Sequence, residues 1–504
     1  MTRTTDRWAA PAVLGLVLAA SATASAAQDA RLIVADNHMI EANWELYADD
    51  SYIGQRAGCY ESLARVEQDL TVQPSLATGW ERTGDLTWVF TLRDGVVFQD
   101  GSAMDADAVA NALTRLLTAT VPARSFSPTV IASVDATGPM QVTITTTAPE
   151  ANLPARVAAP ATAILAPAAY GDSGVNPVDH CTGPFRITQW DAKTGVTVER
   201  FEDYWGGPAK LAGGEVRFIP DANTRGTMVR TGEVQISRLI PVAAAAQIGS
   251  TAGVEVAEVA APRITGLIMQ TQNGPLDNPT VRQAIRAAID TAAISGAIYE
   301  GYSPPAGDAF RDSEPWAQND TPPVTADLDA ARALFDEAGV DPAELTLRLV
   351  TYTSKTELRD LAQIVQAMLS QLGITVTISV QDYGALEADL LAGNFDLLVL
   401  SRGYLTDVPE PIGYLNSDYT CGGGYNLSQY CDPAYDAMVA EVTAEADVDA
   451  RMAGLAGLAQ HIYDNAVTAY LVNETTFDAV SDSVEGFTPH PLNYYVFDTV
   501  IDVK

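Results

Sequence analysis

The chain has 504 residues, of which 47% are hydrophobic and 18% are charged, and its formal net charge at pH 7 is −35. This length exceeds what one hydrophobic core usually holds, so two or three domains are expected, and the composition excludes a disordered chain. The strongly negative charge argues against nucleic acid and anionic membrane surfaces as partners.

The N-terminus has the pattern of a secretory signal peptide over residues 1–27. Arg3 and Arg7 precede an apolar stretch at residues 9–20, and small residues follow. That stretch is too short for a stable membrane span, and the small residues fit a cleavage site after Ala26 or Ala27. The mature chain is therefore predicted to be exported.

The first half of the mature chain predicts short strands and helices. Residues 32–34 read as a first strand, and residues 57–84 as a helix followed by a loop. The run LTWVFTLR at residues 86–93 alternates cleanly, which is typical of a half-buried strand. Asp105 is a predicted helix N-cap, and the β-branched run at residues 141–147 is another predicted strand.

The second half predicts alternating strands and helices. Asn278 caps a helix with Pro279 at its first position, which is a strong helix-start signal. The predicted elements are a strand at 264–270, this helix, a helix at 330–338, a strand at 345–349, a helix at 361–372, and strands at 374–380 and 395–400. Such alternation implies parallel βαβ units. The tail returns to strand-like runs such as residues 494–497.

Four cysteines in an exported chain indicate disulfides. Cys421 and Cys431 enclose a short glycine-rich loop and are predicted to pair, which would stabilise the fold by about 2–3 kcal/mol. Cys59 and Cys181 remain by parity. A disulfide between them and two buried free thiols both stay open.

Motifs of catalysis are missing from the sequence. It contains no HExxH, GxSxG, GxGxxG or phosphate-loop pattern. None of the histidines has a partner at metal-ligand spacing; they are His38, His180, His461 and His490. We therefore expect no metal, no cofactor and no enzymatic activity, and keep an exported enzyme as a remote alternative.

Three motifs follow one another in a specific order. They are TGPF at residues 182–185, DYWG at 203–206 and PDANTR at 220–225. Together with the run TWVFTLRDGVVFQDG at 87–101 and PLDNPTVRQA at 275–284, they resemble the extracytoplasmic solute-binding proteins, family 5, of peptide and nickel ABC importers. This resemblance covers essentially the whole mature chain.

The resemblance implies an α/β, two-lobed periplasmic-binding-protein fold of type II in the three-domain cluster C arrangement, with a double-crossing hinge. The implied parts are lobe 1 domain I (residues 28–56, 179–263 and 478–504), lobe 1 domain II (57–178) and lobe 2, or domain III (264–477). It also implies a periplasmic monomer that binds its ligand between the lobes and delivers it to the transmembrane subunits of an ABC permease.

The segment at residues 401–411 follows the predicted buried strand, where ligand sites of α/β proteins form. In the family's peptide binders an aspartate here receives the peptide α-ammonium group and an aromatic residue flanks the ligand. Asp407 and Tyr404 stand at these positions, with tyrosine in place of the usual tryptophan, and Tyr383 lies near an aromatic wall position. The expected partners of the peptide carboxylate are Arg402, Arg124 and Lys355.

Asp407 separates the two ligand classes of the family. Nickel-chelate binders generally lack this aspartate, and a carboxylate in a closing cleft needs a cationic partner such as an ammonium group. The sequence therefore favours small peptides, with a nickel or metallophore-chelate receptor as the alternative.

Overall fold

The computed structural model describes residues 1–2, 30–171, 174–272, 274–317, 321–353, 355–406 and 408–504. The predicted signal peptide lies almost wholly outside these residues. Across the described ranges, no helix is long and apolar enough to cross a membrane.

The strands and helices alternate along most of the chain. The strands are β1 (Arg31–Asp36), β2 (Ala64–Val66), β3 (Val72–Pro74), β4 (Ala77–Gly84), β5 (Thr87–Leu92), β6 (Ile131–Gly138), β7 (Gln141–Thr146), β8 (Tyr170–Gly171), β9 (Gly174–Val175), β10 (Phe185–Asp191), β11 (Gly195–Arg200), β12 (Gly213–Phe218), β13 (Ile236–Ser237), β14 (Val254–Met269), β15 (Thr346–Tyr352), β16 (Thr375–Gln381), β17 (Leu397–Gly403), β18 (Thr468–Ser481), β19 (Val484–Glu485) and β20 (Asp502–Val503). The helices are α1 (Asp50–Arg56), α2 (Ala106–Thr118), α3 (Leu153–Arg156), α4 (Ala222–Thr231), α5 (Val242–Gly249), α6 (Pro279–Ala287), α7 (Thr291–Tyr299), α8 (Leu328–Ala338), α9 (Thr356–Ser370), α10 (Tyr383–Leu391), α11 (Ile412–Tyr419), α12 (Pro433–Ala444) and α13 (Val448–Asp464).

A ten-stranded sheet runs through the molecule in the order β10-β11-β12-β1-β13-β18-β14-β17-β15-β16. Strand β1 pairs in parallel with β12 and β13 at one end, and β15 pairs in parallel with β16 and β17 at the other. A separate four-stranded sheet, β4-β5-β7-β6, lies against α2. The predicted α/β fold is confirmed.

Two long antiparallel strands join the two parallel sets. Strand β14 has 16 residues and β18 has 14, and each belongs to both halves of the sheet. At about 3.3 Å per residue, each strand spans roughly 45–55 Å. These two strands are the double crossing that the resemblance implied.

The second half of the sheet is covered on both faces. Residues Leu397, Leu398, Val399 and Leu400 of β17 are at most 3% exposed. One face packs with α6 to α9 and the other with α11 to α13, in two separate apolar cores. The nearly continuous apolar run at residues 395–400 is therefore the buried strand that the sequence predicted.

The predicted N-cap residues lie at the starts of two helices, α2 and α6. The Asp105 carboxylate accepts a hydrogen bond from the Ala108 backbone N–H at 2.9 Å, at the N-terminus of α2. Asn278 does the same for α6, accepting from the Thr280 N–H at 2.9 Å, with Pro279 at the first helical position. Each cap satisfies a backbone donor that the helix leaves unpaired.

Two predicted elements are wrong. Residues 57–84 hold strands β2, β3 and β4, and the helix α1 ends before them. Residues 494–497 form no strand, although Tyr494, Val496 and Phe497 are buried. Their backbone follows Asn493, which has a positive φ of 58°, and the Phe497 N–H donates to the Arg56 carbonyl instead of to a strand ladder.

All four cysteines form disulfides. Cys421 pairs with Cys431 as predicted, with 4.3 Å between their Cα atoms. Cys59 pairs with Cys181 at a Cα separation of 5.4 Å, so the free-thiol alternative is wrong. The second bond ties the end of α1 to the start of β10, where the Phe185 N–H also donates to the Gly58 carbonyl at 3.0 Å.

A backbone hydrogen bond joins the segment before α3 to α12, and a buried ion pair lies nearby. The Ala151 N–H donates to the Thr443 carbonyl at 2.9 Å. Nearby, Arg451 Nε lies 3.3 Å from Glu410 Oε1. Burial raises the pKa of Glu410 to about 7; Arg451 opposes this rise and the carboxylate of Glu150 adds to it.

This raised pKa predicts a pH-dependent difference between wild type and Glu410→Gln. The folded protein keeps the Glu410 proton up to about pH 7, whereas the unfolded chain loses it near pH 4.5. Wild-type stability relative to Glu410→Gln should therefore fall by about 2–3 kcal/mol between pH 5 and pH 8. Urea denaturation of both proteins at the two pH values measures this, with exposed Glu337→Gln as the control. A constant difference would contradict the prediction.

Candidate functional site

The carboxyl ends of the two parallel strand sets point at each other. Strand β13 runs antiparallel to β18, with Ser237 opposite Ala479, so β1, β12 and β13 end toward the start of β18. Strand β17 runs antiparallel to β14, with Gly403 opposite Arg263, so β15 to β17 end toward the start of β14. Ligands of α/β proteins bind outside such strand ends, which places a candidate site across the middle of β14 and β18.

A bulge interrupts β14 at this midpoint. The pairing with β18 is regular up to Ala260 and resumes at Ile264, so residues 261–263 lie opposite Glu474 alone. Pro262 has no N–H to donate to a ladder, which suits it to a bulge. Bulges bend a strand and change the direction of its side chains, and they are common beside functional sites.

A charged cluster lies next to the bulge. The carboxylate of Glu474 is buried; it forms an ion pair with the Lys355 ammonium group and accepts a hydrogen bond from Thr265 Oγ1 at 2.7 Å. Arg263 Nη1 donates to the Ser401 carbonyl at 3.2 Å and lies 3.1 Å from its hydroxyl. Burial alone would raise the pKa of Glu474, but Lys355 and Arg263 outweigh burial and hold it at about 2. Glu474 is therefore ionised at neutral pH.

Aromatic rings line the same strand ends. Tyr352 and Tyr383 meet edge to face with ring centroids 5.3 Å apart, and the Tyr383 hydroxyl hydrogen-bonds to that of Tyr425. The Arg402 guanidinium lies 4.6 Å from the Tyr425 ring centroid and binds the Asp418 carboxylate through two bonds of 2.8 Å. A two-bond pair of this kind fixes the guanidinium plane.

A small cavity lies between the sheet and α11. Its volume is about 20 Å³, enough for one ordered water and too small for a peptide. Residues that line it include Ile264, Arg402, Tyr414, Asp418 and Tyr470. This cavity is therefore not the binding site in the conformation described.

The opposite strand ends carry a buried ion network. Arg238 Nη1 lies 2.8 Å and Arg56 Nη1 3.5 Å from Asp36 Oδ2. Asp478 Oδ2 lies 3.7 Å from Arg238 Nε, and His38 lies 3.5 Å from Asp36. Burial alone would raise the pKa of Asp36, but Arg56 and Arg238 outweigh it and hold that pKa well below its usual range.

The loop after β17 reaches across to the first half of the chain. The Tyr52 hydroxyl of α1 donates to the Thr406 carbonyl at 2.7 Å. The Tyr404 hydroxyl donates to the Glu314 carboxylate, which also accepts a bond of 2.9 Å from the Trp316 indole N–H. The loop is therefore held from both halves of the molecule.

Comparisons with known proteins agree with this architecture. The sequence profile of the bacterial extracellular solute-binding proteins, family 5 (middle), matches residues 71–426, which is most of the chain. The chain belongs to this family. The predicted resemblance is confirmed, and because members of family 5 bind solutes and are not enzymes, the prediction that the chain is not an enzyme is confirmed with it.

Individual relatives extend the comparison. The glutathione-binding protein GsiB of Salmonella paratyphi A is 34% identical over 340 residues, a match that spans 66% of this chain and 65% of that protein. The crystal structure of a nickel ABC transporter from Bacillus halodurans is 26% identical, with a TM-score of 0.79 over 94% of this chain and 100% of that one. The structure of DppA from Helicobacter pylori in complex with the peptide STSA, 21% identical with a TM-score of 0.79, covers 95% of this chain and 100% of that one and shares the fold.

The predicted ligand residues of this family 5 chain lie in different parts of the fold. Tyr383, Arg402 and Lys355 all lie at the carboxyl ends of β15 to β17, and both cations already have acidic partners. Tyr404 is 1% exposed and packs in an apolar core, so in this conformation its ring supports the loop. Arg124 is exposed in the segment after α2. Asp407 lies outside the described residues.

Sequence reasoning missed two charged residues at the centre of the site. Arg263 and Glu474 lie on β14 and β18, whose antiparallel pairing brings them together at the bulge. One signal in the sequence could have indicated the bulge. Pro262 and the charged Arg263 come directly before the predicted strand at 264–270, and a proline within a strand favours a bulge.

Proposed function

We propose that the chain is the periplasmic substrate-binding component of an ABC importer, exported by a signal peptide at residues 1–27. It captures small peptides in the cleft between two lobes and delivers them to the transmembrane subunits of the permease. The proposed domains are domain I (28–56, 179–263 and 478–504), domain II (57–178) and lobe 2 (264–477). The protein acts as a monomer.

One observation carries this proposal: in the described sheet, two sets of parallel strand ends face each other across the two crossing strands β14 and β18. Ligands bind at such ends, and two connections side by side allow a hinge motion between the lobes. Ligand binding then favours the closed form, which the permease recognises, by a shift of population between two states.

A peptide ligand is supported by the curated relatives. GsiB carries a name that describes glutathione binding, and glutathione is a tripeptide. An extended peptide can pair its backbone with strand edges, which gives affinity without reading side chains. The second candidate, a nickel or metallophore chelate, is supported by the fold match at 26% identity to a nickel ABC transporter.

A thermal-shift screen separates these candidates. The ligands are glutathione, dipeptides, tripeptides, and nickel with and without histidine, since a bound ligand raises the melting temperature by mass action. A rise with peptides supports the proposal. A rise with nickel–histidine and none with peptides would establish the second candidate instead.

For the N-terminus of the peptide, we propose that Asp407 binds the α-ammonium group. Asp407→Ala should then weaken peptide binding by about 2–5 kcal/mol, because removing one partner of a buried charge pair leaves the other unpaired. N-acetylated peptides should bind poorly to wild type for the same reason. Calorimetry measures both effects, with Asp329→Ala as the control because its side chain is 98% exposed on α8. Unchanged affinity in Asp407→Ala would remove this role.

A further inference from the structure

The charged side chains described at the bulge do not sum to zero. Glu474 is one buried carboxylate, and two cations surround it, Lys355 and Arg263. Lys355 forms the ion pair with Glu474, whereas Arg263 makes no ion pair with any acid of the described ranges and bonds only to Ser401. Among the described residues one positive charge is therefore left over at the strand ends, and a half-buried cation there favours an anionic partner.

The backbone positions this extra cation. The bulge at residues 261–263 places Arg263 directly opposite Gly403, at the last residue of β17. A Cβ atom at Gly403 would lie 3.2 Å from Arg263 Nη2 and 2.3 Å from Thr406 Oγ1. The absence of a side chain at Gly403 thus leaves the space that the guanidinium occupies. Ser401 binds one nitrogen of the Arg263 guanidinium. A planar guanidinium can bind a carboxylate through two parallel hydrogen bonds.

The other predicted cations at this edge are already engaged. Arg402 binds Asp418 with two hydrogen bonds at the wall of the small cavity, and Lys355 binds Glu474. A ligand carboxylate at either of them would share a charge that a buried acid already neutralises. At Arg263 it would fill a place that no acid of the described residues holds.

We infer that Arg263 is the residue that binds a ligand carboxylate in the cleft, with Glu474 and Lys355 as the buried pair that supports it. This inference rests on the proposed function for the position of the cleft, and it deepens that function. It adds that the ligands are carboxylate-bearing, such as peptides with a free C-terminus, rather than amidated or neutral compounds.

The test compares wild type with Arg263→Gln by titration calorimetry. The probes are tri-alanine, tri-alanine amide, glutathione, glutathione diethyl ester and nickel–histidine. Wild type should bind each free acid more tightly than its amide or ester. Arg263→Gln should lose about 10- to 100-fold in affinity for the acids and leave the amide and ester unchanged, since one charge-assisted pair is removed. Arg263→Lys should fall between them because it keeps the charge and loses the fork.

Two controls show whether a change in affinity is specific to Arg263 and whether the variant is folded. Arg332→Gln removes an exposed arginine on α8 and should change no affinity. Circular dichroism melting shows that each variant is folded, and a fall in acid affinity counts only for a folded variant. If Arg263→Gln does not fold, Arg263→Lys carries the same acid-against-amide comparison.

The possible results distinguish a failure of the role given to Arg263 from a failure of the proposed function. Peptide binding by wild type with an unchanged preference for acids in Arg263→Gln overturns the inference and leaves the peptide receptor standing. Equal wild-type affinity for acid and amide does the same. If nickel–histidine alone binds, the peptide function fails, and a loss of that binding in Arg263→Gln still supports the inference because histidine supplies the carboxylate. Wild type that binds none of the probes overturns both.

Discussion

Removing the disulfide between Cys59 and Cys181 should lower the free energy of unfolding by about 5 kcal/mol. The two residues are 122 positions apart, and the entropy that the bond removes from the unfolded chain grows with the length of the closed loop. The comparison is the bond between Cys421 and Cys431, which closes a loop of only 10 residues and should contribute about 3 kcal/mol.

Urea denaturation of the two double alanine variants measures this difference. Alanine is preferred to serine at Cys59 and Cys181 because both are fully buried, and an unpaired hydroxyl there would add its own cost. Adding a reductant to wild type should approach the combined loss. Equal destabilisation by the two double variants would show that loop length does not determine the effect.

The second large effect is expected for Asp36→Ala, which should destabilise the fold by about 3–5 kcal/mol at pH 7. Asp36 is 2% exposed, and its removal leaves Arg56 and Arg238 buried without their shared partner. The hydrogen bond between Arg238 and Asn493 does not replace a charge.

The pH dependence of this variant follows from the lowered pKa of Asp36. A carboxyl group with a lowered pKa stabilises the fold above its unfolded pKa of about 3.8, and that stabilisation is lost as pH falls further toward the folded pKa. The difference between wild type and Asp36→Ala should therefore be constant from pH 5 to pH 8 and shrink below pH 3.8. Chemical denaturation across this range measures it, with Asp329→Ala as the exposed control. A variant as stable as wild type at pH 7 would contradict the role of the network.

Local sequence patterns predicted the elements that depend on their own residues. The alternation at residues 86–93 corresponds to β5, and the caps at Asp105 and Asn278 begin α2 and α6. These predictions succeed because both signals are local. A helix cap depends on residues within one turn, and the alternation of apolar and polar residues depends on residues within one strand. The tail at residues 494–497 has the same kind of pattern, but the predicted strand is wrong there. These residues pack against the core without pairing with another strand.

Long-range pairing decided the rest of the fold. The sequence indicated a strand at residues 264–270, whereas β14 begins ten residues earlier because β18 pairs with it on both sides of the bulge. The same pairing creates the bulge that directs Arg263. The partner of Cys181 was decided by another long-range contact. Parity left two alternatives, and the backbone hydrogen bonds from Gly183 to Cys59 and from Phe185 to Gly58 bring the two cysteines together.

The sequence alone determined the family, the alternation of strands and helices, and the segment after β17 that we propose to contact the ligand. Only the tertiary structure decided which charged residues meet at the bulge of β14. Arg263 and Glu474 are far apart in sequence, and their electrostatic interaction depends on the register of two crossing strands. Charge interactions depend on distance and burial, and neither is a property of a residue before the chain has folded.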